Sequence, residues 1–139
     1  MGISLMRMLI VLAMLFFASA AMAQSGACSN AQDQMTLNEC AGQSFRKSDN
    51  ELNTLYKQIQ QRLKGDADTT KLLVAAQRAW LSFRDAECAF VSSSVSGGSI
   101  YPMIHAICAD RLTQKRITDF KAYLTCEDGD MSCPVPAQL

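Results

Sequence analysis

The chain has 139 residues, 13 basic and 13 acidic, so its formal net charge is zero. That balance gives no electrostatic basis for nucleic acid or an anionic membrane surface as the main partner. The length allows one ordinary domain with a modest core.

The first 23 residues read as a cleavable signal peptide. Arg7 is a positive n-region, Met8 to Phe17 is an unbroken apolar run, and Ala21-Met22-Ala23 supplies small-x-small before Gln24. The run is short for a membrane span and no stop-transfer pattern follows. A lipid on Cys28 is disfavoured because the position three before it is Ser25 and the apolar run ends well upstream. The expectation is therefore a periplasmic or secreted protein without a stable membrane anchor. Without those residues the net charge is minus one, through the loss of Arg7.

Residues 24–35 form an N-terminal segment, and residues 36–126 a helical domain. Its first helix is expected to open at Thr36, with Glu39 three residues on completing a T-x-x-E capping box. Leu37, Cys40, Ala41, Phe45, Leu52, Leu55, Tyr56, Ile59 and Leu63 recur at helical spacing. Ser48 with Glu51 is a second capping box, which leaves a break near Asp49 open. Gly65 stops the helix and residues 66–69 turn the chain.

A second helix is predicted from Asp68 or Thr69 to near Val91. Leu72, Leu73, Ala76, Ala79, Trp80, Phe83 and Phe90 form its apolar stripe, with Lys71, Arg78 and Arg84 mostly off it. Trp80 and Phe83 read as core anchors, and Arg84 as a surface partner of Glu87 at i, i+3. Ser92 to Ser99, with Gly97-Gly98, breaks the helix. A third helix starts near Ile100, has Pro102 in its first turn, and carries Tyr101, Ile104, Ile107, Cys108, Leu112, Tyr123 and Leu124. Residues 127–139 read as an irregular tail. No stretch alternates with period two, so the fold class is all-α: a small up-down three-helix bundle stapled by disulfides.

All six cysteines lie after the cleavage site, an even number that suits three disulfides in an exported domain. Fifteen pairings are possible. Hairpin topology ranks Cys28–Cys40, Cys88–Cys108 and Cys126–Cys133 first. With no C-x-x-C pair and one histidine, a metal site is not expected.

No catalytic constellation emerges, and no cofactor is implied. His105 is a lone histidine in a helical stretch. The cysteines are spoken for, Asp85 and Glu87 diverge on their helix, and Gly97-Gly98 lacks the surroundings of a phosphate loop. The chain does not read as an enzyme.

The most specific signal is an ordered set of motifs. Cys28 is followed by Leu37-Asn38-Glu39-Cys40-Ala41, then Asp49-x-Glu51-Leu52-Asn53-x-x-Tyr56. Ala76-Gln77-Arg78-Ala79-Trp80-x-x-Phe83-Arg84-Asp85-Ala86-Glu87-Cys88 comes next, then Gly97-Gly98-Ser99 and Cys108. Together they resemble the LprI-type family of lysozyme inhibitors, over roughly Cys28 to Leu124. The resemblance implies a helical disulfide-bonded fold and a protein partner, a lysozyme or related peptidoglycan hydrolase. The alternative is a non-catalytic structural or adaptor module of the cell envelope with another protein partner.

An inhibitor of such a hydrolase needs a rigid body carrying an element that enters the sugar-binding cleft. The turn between the second and third helices has that form. Ser96, Gly97, Gly98, Ser99 and Tyr101 are the expected partner-binding residues, held between Cys88 and Cys108. Their hydroxyl and backbone groups suit a cleft with two carboxylates, and Tyr101 suits an aromatic anchor.

Overall fold

A computed structural model describes residues 28–127 and 129–136. The expected signal peptide lies outside the described residues. The chain divides after Leu37, and the larger unit, Asn38–Leu139, holds the core and the candidate site.

Three long helices follow in order: α1, Gln34–Arg62; α2, Ala67–Val91; and α3, Tyr101–Leu124. Among the described residues there is no strand. Helix α1 starts earlier than the sequence reading placed it. The Asp33 carboxylate accepts from the Thr36 N–H at 2.9 Å and from its hydroxyl at 2.7 Å. Thr36 is thus a donor inside the first turn, and Asp33 provides the cap in its place. The second capping box does not form either, and the helix runs unbroken through Asp49. Ser48 is buried there, its hydroxyl donating to the Phe45 carbonyl at 2.9 Å. That back-bond within its own turn satisfies the hydroxyl without a helix break.

The α1–α2 turn is closed by Gly65 at φ +107°, a conformation that disfavours any side chain. Asp66 then caps α2, accepting from the Thr69 N–H at 3.0 Å. Pro102 occupies the first turn of α3, where its missing N–H has no intrahelical partner to lose.

Helix directions follow from side-chain contacts between helices. Arg84 meets Asp49, while near the turn the Thr70 hydroxyl donates to the Leu63 carbonyl, so α1 and α2 are antiparallel. Between α2 and α3, Cys88 meets Cys108, Arg84 meets Thr113 and Gln77 meets Arg116, again antiparallel. Helices α1 and α3 run parallel, through Ser44–Asp110, Glu51–Lys121 and Arg62 to the Leu124 carbonyl. The result is the up-down bundle expected from short connections.

The main core lies toward the α1–α2 turn: Leu52, Ile59, Leu63, Ile117 and Phe120, with Leu55, Tyr56, Leu73, Trp80, Tyr123 and Leu124 against them. Phe120 is fully buried, which stabilises by about 2–3 kcal/mol. Val135 joins this core at 2% exposure, so the tail is irregular but seated. A second cluster at the other end unites Cys88, Cys108 and Ala109 with Phe45 and Leu112.

The face α2 turns inward differs from the one its apolar stripe indicated. Gln77, Arg84 and Cys88 are buried, with Trp80 half-buried beside them. Leu72, Phe83 and Phe90 are exposed at 71%, 53% and 75%, so Phe83 is no core anchor. Arg84 does not pair with Glu87 on the surface. Its guanidinium reaches Asp49 at 2.9 Å and Asp85 at 3.0 Å, and lies 5.1 and 5.3 Å from the ring centres of Phe45 and Trp80. Neutralised by two carboxylates and stacked on two rings, it is a tolerable core residue.

Cys88–Cys108 and Cys126–Cys133 are bonded, with Cα atoms 5.5 and 5.8 Å apart. Cys28 and Cys40 are also disulfide-bonded, and no described cysteine is free.

Candidate functional site

The connection between α2 and α3 is a string of tight turns. Ser92 ends α2 with its hydroxyl bonded to the Cys88 carbonyl at 2.6 Å and is completely buried. A single 3-10 turn follows over Ser93–Val95. The N–H of Ser96 bonds to the Ser93 carbonyl at 3.2 Å, that of Gly98 to Val95 at 3.0 Å, and that of Tyr101 to Gly98 at 3.1 Å. Gly97 sits at φ +76°, and a Cβ on Gly98 would stand 3.2 Å from the Val95 carbonyl oxygen. The positive φ favours glycine at 97, while a side chain at 98 would need the Val95 carbonyl to give by a few tenths of an ångström. From α1, the Asn38 side chain donates to the Ser99 carbonyl at 2.9 Å.

Ser96, Gly97, Gly98 and Ser99 are all exposed at the tip of this connection. The N–H groups of Gly97 and Ser99 take no part in the turn bonds among the described residues. The tip therefore offers two backbone donors and two hydroxyls to a partner, on a backbone already fixed. Such donors suit carboxylate or carbonyl acceptors. Tyr101 lies at the base of the tip, half-buried, its ring 5.7 Å from that of His105. The structure thus brings the five expected contact residues into one exposed element, with Tyr101 set back from the other four.

The motif around Trp80 does a different task. Gln77, Trp80, Arg84 and Cys88 face the other helices, where Arg116 donates to the Gln77 side-chain Oε1 at 3.2 Å and lies over Trp80 and Phe120. These residues hold the hairpin together. Sequence reasoning missed Asn38 as a positioner of the turn and Asp49 as the partner of Arg84. Both lie within the motifs already noticed, but their partners are far along the chain.

Other chemistry is sparse. Cys126, Asp130 and Cys133 bring ligand-type atoms within 4.8 Å of one another. The two sulfurs are bonded to each other, which leaves no thiolate to bind a metal. An apolar hollow of about 260 Å³ beside Leu63, Leu73, Tyr123 and Val135 falls short of a usual small-molecule site. A larger hollow of about 750 Å³, along Lys57, Gln61, Lys64 and Asp66, is an open surface groove rather than an enclosed pocket.

The fold defines a small helical domain held together by disulfides. The profile of the family described as "Lysozyme inhibitor LprI" matches residues 25–120, and the chain belongs to that family. It is also similar to an uncharacterized protein of Rhizobium meliloti (strain 1021), with 36% identity over 105 residues, covering 68% of this chain and 76% of the relative. No solved structure matches.

Proposed function

We propose that this protein acts outside the cytoplasm by binding and blocking a lysozyme or related peptidoglycan-cleaving hydrolase, without catalytic activity of its own. Membership of the lysozyme inhibitor family carries this reading. The oxidised cysteines support an extracytoplasmic location, and among the described residues no helix is long and apolar enough to cross a membrane.

The contact is assigned to Ser96, Gly97, Gly98, Ser99 and Tyr101. Glycosidases of this class place two carboxylates about the scissile bond, and the two free N–H donors with the serine hydroxyls are suited to meet them. A turn already fixed by its own bonds, by Asn38 and by the Cys88–Cys108 bridge loses little freedom on docking.

The test is lysis of a cell-wall suspension by several lysozyme types, followed by turbidity with increasing purified protein. Dose-dependent protection is expected against at least one type. Ser96→Arg, at the exposed tip, should abolish protection while leaving the far-ultraviolet circular dichroism unchanged, and Tyr101→Ala should weaken binding by about 2 kcal/mol. Full protection by both variants would remove the turn from the contact. Absence of protection against every lysozyme type would remove the function itself.

A further inference from the structure

The outward face of α2 is apolar along its whole length. Leu72, Ala76, Ala79, Phe83, Ala86 and Phe90 follow one another at spacings of four and three, and every one is exposed. Leu72, Phe83 and Phe90 retain 71%, 53% and 75% exposure. A four-three repeat sustained over nearly three heptads is the seam of a helix that packs lengthwise on another helix. On one flank of the seam stand Ala75, Ser82 and Ala89, seven residues apart and small enough for close approach of a second helix. Within its own fold α2 has buried the opposite side, through Gln77, Arg84 and Cys88. Among the described residues, none covers this seam.

We propose that this face is a self-association surface on which α2 pairs with the α2 of a second copy, antiparallel about a two-fold axis level with Leu81. In that register Leu72 stands opposite Phe90 of the second copy, Ala76 opposite Ala86, and Phe83 opposite Ala79. Each large ring meets a small residue or the end of the helix, and no two rings collide at the centre. A parallel pairing would instead set Phe83 on Phe83 and Phe90 on Phe90, ring against ring.

The area suffices for a reversible dimer. At about 200 Å² for each large side chain, the exposed parts of Leu72, Phe83 and Phe90 amount to roughly 400 Å². With the alanines and flanks the total is about 600 Å² per copy, or about 1,200 Å² in all, at the lower edge of stable specific interfaces. A micromolar dissociation constant is the expectation for such a size.

Sedimentation velocity of the exported, oxidised protein across about 1 to 100 µM should show a monomer–dimer equilibrium. Phe83→Asp, at an exposed position, should weaken dimerisation at least about 30-fold with unchanged circular dichroism. Ser82→Cys, nearest the axis, should form a cross-linked dimer on oxidation, whereas Ala75→Cys alone should not. A protein that stays monomeric throughout the range overturns the proposal, as does a dimer indifferent to Phe83→Asp. Loss of hydrolase inhibition by Phe83→Asp in a monomeric parent would overturn it too and assign the face to the hydrolase. The proposal is independent of the inhibitory turn, since dimerisation is read without any hydrolase present.

Discussion

Replacing Arg84 by alanine tests what the buried polar centre of the bundle contributes. Its side chain is only 10% exposed, its guanidinium pairs with Asp49 and Asp85, and two aromatic rings cover its faces. Breaking a buried ion pair from one side commonly costs about 3–5 kcal/mol, much of it from the partner charge left without water. Here the orphans are better off, because Asp49 and Asp85 keep 34% and 66% of their side-chain exposure. That part of the penalty is largely relieved by solvation. What remains is the loss of charge-assisted hydrogen bonds, about 1.5–3 kcal/mol, and of ring contacts worth on the order of 1 kcal/mol each when partly desolvated. The expected destabilisation is therefore about 4 kcal/mol for Arg84→Ala. Arg84→Met, which retains the stem between the rings, should lose about 2 kcal/mol by the same accounting. Urea unfolding followed by circular dichroism, with disulfides intact, gives both numbers if the slope with denaturant is unchanged. A loss below about 1 kcal/mol for Arg84→Ala would refute the reasoning, since it would mean the ring and ion-pair contacts barely exceed the cost of dehydrating the charge.

Replacing Cys88 and Cys108 together by serine opens a bridge spanning 20 residues and should cost about 3 kcal/mol, whereas the same change at Cys126 and Cys133, 7 residues apart, should cost about 2 kcal/mol; thermal unfolding of the two variants ranks them. The hydroxyl and N–H of Thr69 hold the Asp66 carboxyl below its ordinary range. Because the folded value is the lower one, the stability it adds is present above the unfolded value and is lost as the pH falls through the folded one. An Asp66→Asn variant should therefore show a shallower fall in melting temperature than the parent below about pH 4.

Much of the fold was legible because it rests on local chemistry. Gly65, Asp66, Pro102 and the Ser-Gly-rich turn punctuate the helices by mechanisms that act within a few residues. The bridge across the second hairpin follows once those boundaries are placed. The facing of α2 was not legible. Its apolar stripe has clear periodicity, but periodicity says only that a face is apolar, not which partner covers it. Arg84 looks like a surface residue until Asp49, 35 positions earlier, and the rings of Phe45 and Trp80 are found beside it. The cap at Asp33 was missed for a smaller reason: Thr36 with Glu39 satisfies the usual box, and a donor inside the first turn has the same residue type as a cap. For the candidate site, the exposed tip could be located from composition, while the Asn38 brace needed the bundle's register.

The distribution of covalent links has a consequence for how the molecule comes apart. One bridge ties α2 to α3 and another closes the tail behind α3, so neither spans from α1 to the hairpin. Helix α1 adheres through side-chain packing and polar contacts: Phe45, Leu52, Leu55, Tyr56, Ile59 and Leu63, the Asp49–Arg84 and Glu51–Lys121 ion pairs, and hydrogen bonds from Asn38, Ser44 and Arg62. Opening therefore has a natural order: α1 lifts away as one cooperative unit while the tethered hairpin stays together, its amides shielded longest around Cys88 and Cys108. Reduction removes that order, leaving all three helices to part at once. An oxidising compartment thus sets both the stability of this domain and the sequence in which it yields.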